Sequence, residues 1–163
     1  RPPRATSGSA SPASDVYKRQ VRYELELLSA SSAAKNHSED DLLAFDVNEL
    51  RRPGTHGVPM TRDTALHYDL SFHRILARSS GNPIISSFVS AAIITYRGFD
   101  SGDEPRSPQQ IVAHLDDVLA AVKMRSPDAA REAMERHLLE TGGPCRHCLL
   151  SCEVGRTTGF CAI

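Results

Sequence analysis

From residue 21 onward, apolar positions recur at three- and four-residue intervals, and alternation with period two never persists. That pattern predicts helices and no sheet. Val21, Leu25, Leu28 and Ser32 mark one face of a first helix. Ser38 followed by Glu39, Asp40 and Asp41 reads as an N-cap with first-turn acids, opening a second helix through about Leu50. The run Pro53-Gly54-Thr55-His56-Gly57-Val58-Pro59 breaks it. A third helix is predicted over Thr61 to Ser79. Then Gly81 ends one helix, Asn82 caps the next and Pro83 takes its first position. The fourth runs to about Tyr96-Arg97, with Ile85, Phe88, Val89, Ala92 and Ile93 on its apolar side. After a polar loop from Gly98 to Pro108, the fifth carries Ile111, Val112, Leu115, Val118, Leu119 and Val122. Ser126-Pro127-Asp128 opens the sixth, with Ala130, Ala133, Met134, His137 and Leu138 facing in, and Gly142-Gly143-Pro144 ends it. The predicted fold is all-α, an antiparallel bundle of about six helices around a cavity.

Composition divides the 163 residues into three parts. Residues 1–20 are rich in Pro, Ser, Arg and Ala without periodicity, and read as a disordered or extraneous segment. Its end, Ala13 to Gln20, looks like translated adapter sequence; a genuine flexible linker is the other reading. Residues 21–141 form the body, long enough for one compact domain. Residues 142–163 hold all four cysteines, so the body needs no disulfides and reads as cytoplasmic. Cys145, Cys148, Cys152, Cys161 and nearby His147 invite a zinc reading, but their spacing matches no standard finger. A disordered or non-native tail is the expectation there. Net charge is −1, with no basic stripe to grip nucleic acid. No apolar run approaches the roughly 18 residues of a membrane span.

The chemistry sits on the apolar stripes. Asp69 and His73 lie four apart on the third helix, on one face and one turn apart, beside Leu66, Leu70, Leu76 and Ala77. His114 and His137 fall on inward faces of the fifth and sixth helices. A single histidine on such a stripe is more often a hydrogen-bonded core residue. One aspartate and three histidines aimed inward from three helices are instead the ligand set of a mononuclear metal site. Arg22 and Glu26 form an i,i+4 pair that is either a surface ion pair or part of the cavity. His37, His56 and His67 read as solvated.

Taken together, the body resembles the FCD-type effector-binding domain of GntR-family bacterial transcription regulators. The resemblance rests on Arg22-x3-Glu26, Asp69-Leu70-Ser71-Phe72-His73, Ser80-Gly81-Asn82-Pro83, His114 on a helix ending Leu119-Ala120-Ala121-Val122, Pro127-Asp128-Ala129-Ala130 and Met134-x2-His137-Leu138, and covers about Val21 to Glu140. It implies that Asp69, His73, His114 and His137 hold a divalent metal (Zn, Ni or Mn) on the cavity floor. It also implies a small carboxylic acid effector completing the coordination, held by Arg22 with Arg97 near it. The resemblance further implies a homodimer, and DNA binding only through a winged helix-turn-helix domain that this sequence lacks. Two features depart from the family pattern. Ala113 stands where an acid usually precedes the third ligand, and the Pro53–Pro59 connection is unlike the usual helical continuation. The alternative is a small metal-dependent hydrolase using the same Asp/His3 site. The sequence offers no spare carboxylate on the cavity faces as its general base, which favours the sensor, a non-enzyme.

Overall fold

The computed structural model describes residues 12–96 and 107–141. Six helices follow one another among them: α1 (Pro12–Asn36), α2 (Glu39–Glu49), α3 (Arg62–Ser79), α4 (Pro83–Tyr96), α5 (Pro108–Lys123) and α6 (Pro127–Thr141). No strand occurs among the described residues. The fold is all-α, as the periodicity predicts.

The boundaries follow from local chemistry. Ser38 caps α2 reciprocally with Asp41: its hydroxyl accepts from the Asp41 N–H at 3.2 Å while its own N–H donates to the Asp41 carboxylate at 3.0 Å. Thr61 and Thr64 repeat the arrangement at the head of α3. Gly81 turns the chain out of α3 with φ +72°, a left-handed conformation that favours glycine. The Asn82 side chain then accepts from the Ile84 N–H at 2.9 Å, starting α4. Between α5 and α6, Arg125 also takes a positive φ of 52°. Its guanidinium donates to the carbonyls of Lys35 and His37, satisfying the C-terminal end of α1.

The main core joins α1, α2, α3, α5 and α6 through Leu27, Phe45, Phe72, Leu76, Leu115 and Met134. A smaller cluster, Ala77, Ile85, Val89 and Ile93, seats α4 against α3, with Leu25 of α1 and Leu70 of α3 at its edge. The end of α2 is tied across the bundle by Arg52. This residue donates from both guanidinium nitrogens to Asp116 of α5 at 2.5 Å each, and reaches Glu49 at 3.3 Å. The Tyr68 hydroxyl donates to the same Glu49.

Four expectations need correction. Helix α1 starts at Pro12, so residues 12–20 are helical rather than disordered. Proline suits the first helical position, where no N–H is needed, and Ala13, Lys18, Arg19 and Gln20 are good helix formers. The face of α1 is also different: Val21 and Leu28 are 54% and 46% exposed, while Tyr23, Glu26, Leu27, Ala30, Ala33 and Ala34 are buried. The buried stripe is offset by two residues, about 200° of rotation at 3.6 residues per turn, and so lies on the opposite side. Phe88 on α4 is 58% exposed, because the buried stripe there is Ile85, Val89 and Ile93. His37 is buried, its Nδ1 2.9 Å from the Ala33 carbonyl oxygen, whereas His56 and His67 are exposed as expected.

Candidate metal centre

Three elements converge on one point of the interior. Helix α3 places Asp69 and His73 one turn apart facing the core, held there by buried Phe72 and Leu76 on the same helix. Helix α6 brings His137 on the stripe of Ala130, Ala133, Met134 and Leu138. Helix α1 contributes Glu26, completely buried. His73 Nε2 lies 3.1 Å from His137 Nε2 and 3.5 Å from Asp69 Oδ1, and His137 Nε2 lies 3.1 Å from the same oxygen.

This triangle has the dimensions of one face of a metal coordination polyhedron. With bonds of about 2.1 Å, neighbouring ligand atoms sit about 3.0 Å apart in an octahedron and about 3.4 Å apart in a tetrahedron. Asp69 Oδ1 is buried without an aligned hydrogen bond among the described residues, as a donor atom awaiting a cation would be. Two imidazoles and a carboxylate suit a borderline divalent ion, and three protein ligands leave open positions. The residues present therefore fit a metal.

The electrostatics agree with a site built for positive charge. Burial opposes ionisation of Asp69, but His73 and His137 outweigh it and hold the carboxyl well below the usual carboxylate range. Burial likewise opposes charge on His73, yet Glu26 and Asp69 push this imidazole up to about 9. His137 is lowered, chiefly by burial. Glu26 is lowered against its own burial by His73 and then Arg22.

Of the sequence candidates, the fold brings together Asp69, His73 and His137. His114 stands alongside, its ring centroid 6.2 Å from that of His137. Its Nε2 lies 3.3 Å from Glu140 Oε2, and its Nδ1 is buried without a hydrogen bond among the described residues. Arg22 is one turn from Glu26, its Nε 3.4 Å from Glu26 Oε1, with a side chain only 12% exposed. The pair is thus part of the interior and not a surface decoration. Arg97 lies outside the described residues, as do the tail cysteines.

The pairing of Glu26 with His73 is what sequence reasoning missed. The interior does hold a second carboxylate, contrary to the expectation that none was spare, and its Oε2 accepts from His73 Nδ1 at 2.8 Å. Both its oxygens are engaged by His73 and Arg22, so it is not poised as a free base. The signal was available: Glu26 shares a stripe with Tyr23, Ala30 and Ala33, small residues that let another helix approach closely.

The FCD domain family matches residues 19–140. The chain is similar to the uncharacterized HTH-type transcriptional regulator YcbG of Bacillus subtilis (strain 168), 29% identical over 124 residues, which cover 73% of this chain and 49% of YcbG. The chain therefore spans about half the length of that curated relative. No solved structure matches it. With the match running from the first helix through the last, and taking in every residue of the triangle, the chain belongs to the FCD domain family.

Proposed function

We propose that the chain is the ligand-sensing domain of a bacterial GntR-family transcription regulator, acting in the cytoplasm on a DNA-binding winged-helix domain outside this sequence. It binds a divalent metal, Zn, Ni or Mn, through Asp69, His73 and His137, with His114 as the fourth ligand, and a small carboxylic acid as effector. The observation that carries this reading is the triangle of donor atoms inside the bundle.

Each residue has a distinct task. Asp69 supplies the one negative charge among the ligands, and the two imidazoles supply neutral donors. A divalent ion bound there provides open coordination positions and a net positive charge. Arg22 adds a planar guanidinium matched to a carboxylate, close enough to share Glu26 with His73. Cation and guanidinium together select an anion. The enclosing helices limit it to compact acids about the size of lactate, malonate or citrate.

A homodimer is part of the same proposal. Val21 and Leu28 on α1 and Ile84 and Phe88 on α4 are large, apolar and 46–65% exposed, on two helices that pack against each other. A second copy covering that face removes it from water.

Calorimetric titration of lactate, malonate and citrate into the zinc-loaded chain tests the sensor. At least one should bind, and Arg22→Ala should weaken it by about 1.5–3 kcal/mol, the worth of a charged hydrogen bond. Binding of only neutral or long-chain compounds would sink the carboxylate reading.

A further inference from the structure

We propose that Glu26 is the positioning residue of the metal centre: it takes the Nδ1–H of His73 and thereby fixes Nε2 as the nitrogen that faces Asp69 and His137. The inference rests on the metal reading above in one respect, that a divalent ion sits among the three donors.

A neutral imidazole carries its proton on either nitrogen, and only the Nδ1–H tautomer leaves a lone pair at Nε2. His73 is fully buried, so the choice falls to its protein neighbours. At Nδ1 the neighbour is the Glu26 carboxylate, an acceptor with no proton of its own to offer, 2.8 Å away. At Nε2 the neighbours are the other two donors of the triangle, at 3.1 and 3.5 Å. The carboxylate therefore places the proton on the side away from the metal and holds the ring plane. Such partners also raise the basicity of the ligand nitrogen.

Burying a carboxylate completely is costly unless its charge and lone pairs are met, and here both oxygens are engaged, by His73 and by Arg22. A neutral amide would fill the space without enforcing the tautomer, because it can turn a donor toward the ring. Glu26 also comes from α1 while its target comes from α3. The ligand is oriented only when those two helices are docked.

The test uses the full chain, with zinc as the probe, and compares wild type with Glu26→Gln and Glu26→Asp. Competition against a chromophoric chelator gives zinc affinity, and nitrogen-15 spectra of the histidines give the protonated ring nitrogen. Expected are a zinc-loaded His73 protonated at Nδ1, a loss of about 10–100-fold in zinc affinity for Glu26→Gln, and partial recovery in Glu26→Asp, which keeps the charge. Zinc affinity of Glu26→Gln equal to wild type, or wild-type His73 binding zinc through Nδ1, overturns the assignment while the metal site stands. A wild type that takes up no zinc overturns both. Should Glu26→Gln fail to fold, the tautomer in the wild type decides alone.

Discussion

His73 Nε2 and His137 Nε2 point at one another across 3.1 Å in the middle of the bundle, both side chains fully buried. Two lone pairs cannot share that gap without a proton or a cation between them. Glu26 and Asp69 push the His73 imidazole up against its burial, while burial lowers that of His137. A divalent ion bound there would set a larger positive charge against the same atoms.

Metal content is the first consequence. The purified chain should hold about one divalent ion, stabilising it by about 2.7 kcal/mol when free metal is 100 times its dissociation constant. His73→Ala and His137→Ala should each abolish loading, measured by elemental analysis after dialysis. His114→Ala should weaken it by about tenfold or more. Unchanged affinity in His114→Ala would remove that residue from the site.

A second expectation concerns pH. In the metal-free chain, the stabilisation from His73 is fully present below its unfolded value of about 6.5 and lost as pH rises through about 9. His137, shifted down, contributes above about 6.5 and loses that contribution as pH falls. Asp69, also lowered, adds a loss at acid pH below its unfolded value of about 3.9. Metal-free melting temperature should therefore peak near neutrality and decline toward pH 9. Metal binding at His73 would compete with its proton, so loading should tighten over the same rise. A flat metal-free profile from neutrality to pH 9 would contradict the paired arrangement.

The Arg52–Asp116 bridge should be structural. Its geometry is bidentate, but Asp116 is 43% exposed and solvent screening discounts it. Arg52→Ala should cost about 0.5–1.5 kcal/mol in urea unfolding. Arg52→Lys should recover little, because an ammonium cannot bond both oxygens side by side. Full stability in Arg52→Lys would show that charge alone matters there.

Sedimentation tests the α1–α4 face. The chain should sediment as a dimer, and Phe88→Glu should dissociate it while leaving metal content intact. Phe88 is exposed and belongs to no part of the metal centre. A Phe88→Glu chain that remains dimeric places the interface elsewhere.

The fold was readable in the sequence wherever one residue type has one local use. Ser38, Thr61, Gly81 and Asn82 mark ends because caps and left-handed turns admit few residues. The stripes of α5 and α6 were readable because their inward residues are apolar with few exceptions. Helix α1 was not. Its buried side carries Glu26, Ser29 and several alanines, whereas the outward Val21 and Leu28 imitate a core stripe. Pattern reading assumes that apolar means inward, and a buried ion network reverses that rule. The same assumption left the place of Glu26 open and hid its pairing with His73. The pairing of Asp69 with His73 was legible from spacing alone. Their grouping with His137, 64 positions beyond His73, was expected from the inward stripes, but the close approach of the three donor atoms, at 3.1, 3.1 and 3.5 Å, needed the tertiary structure.

That separation sets an order of events during synthesis. Asp69 and His73 leave the ribosome together on α3, and two donors alone would hold an ion only weakly. His137 arrives on α6, the last described helix, and the triangle closes only when α6 has docked beside α1 and α5. On the proposed metal reading, tight capture of an ion would therefore mark a finished bundle, and a chain stopping before α6 would be told apart from a complete one by its inability to keep the ion.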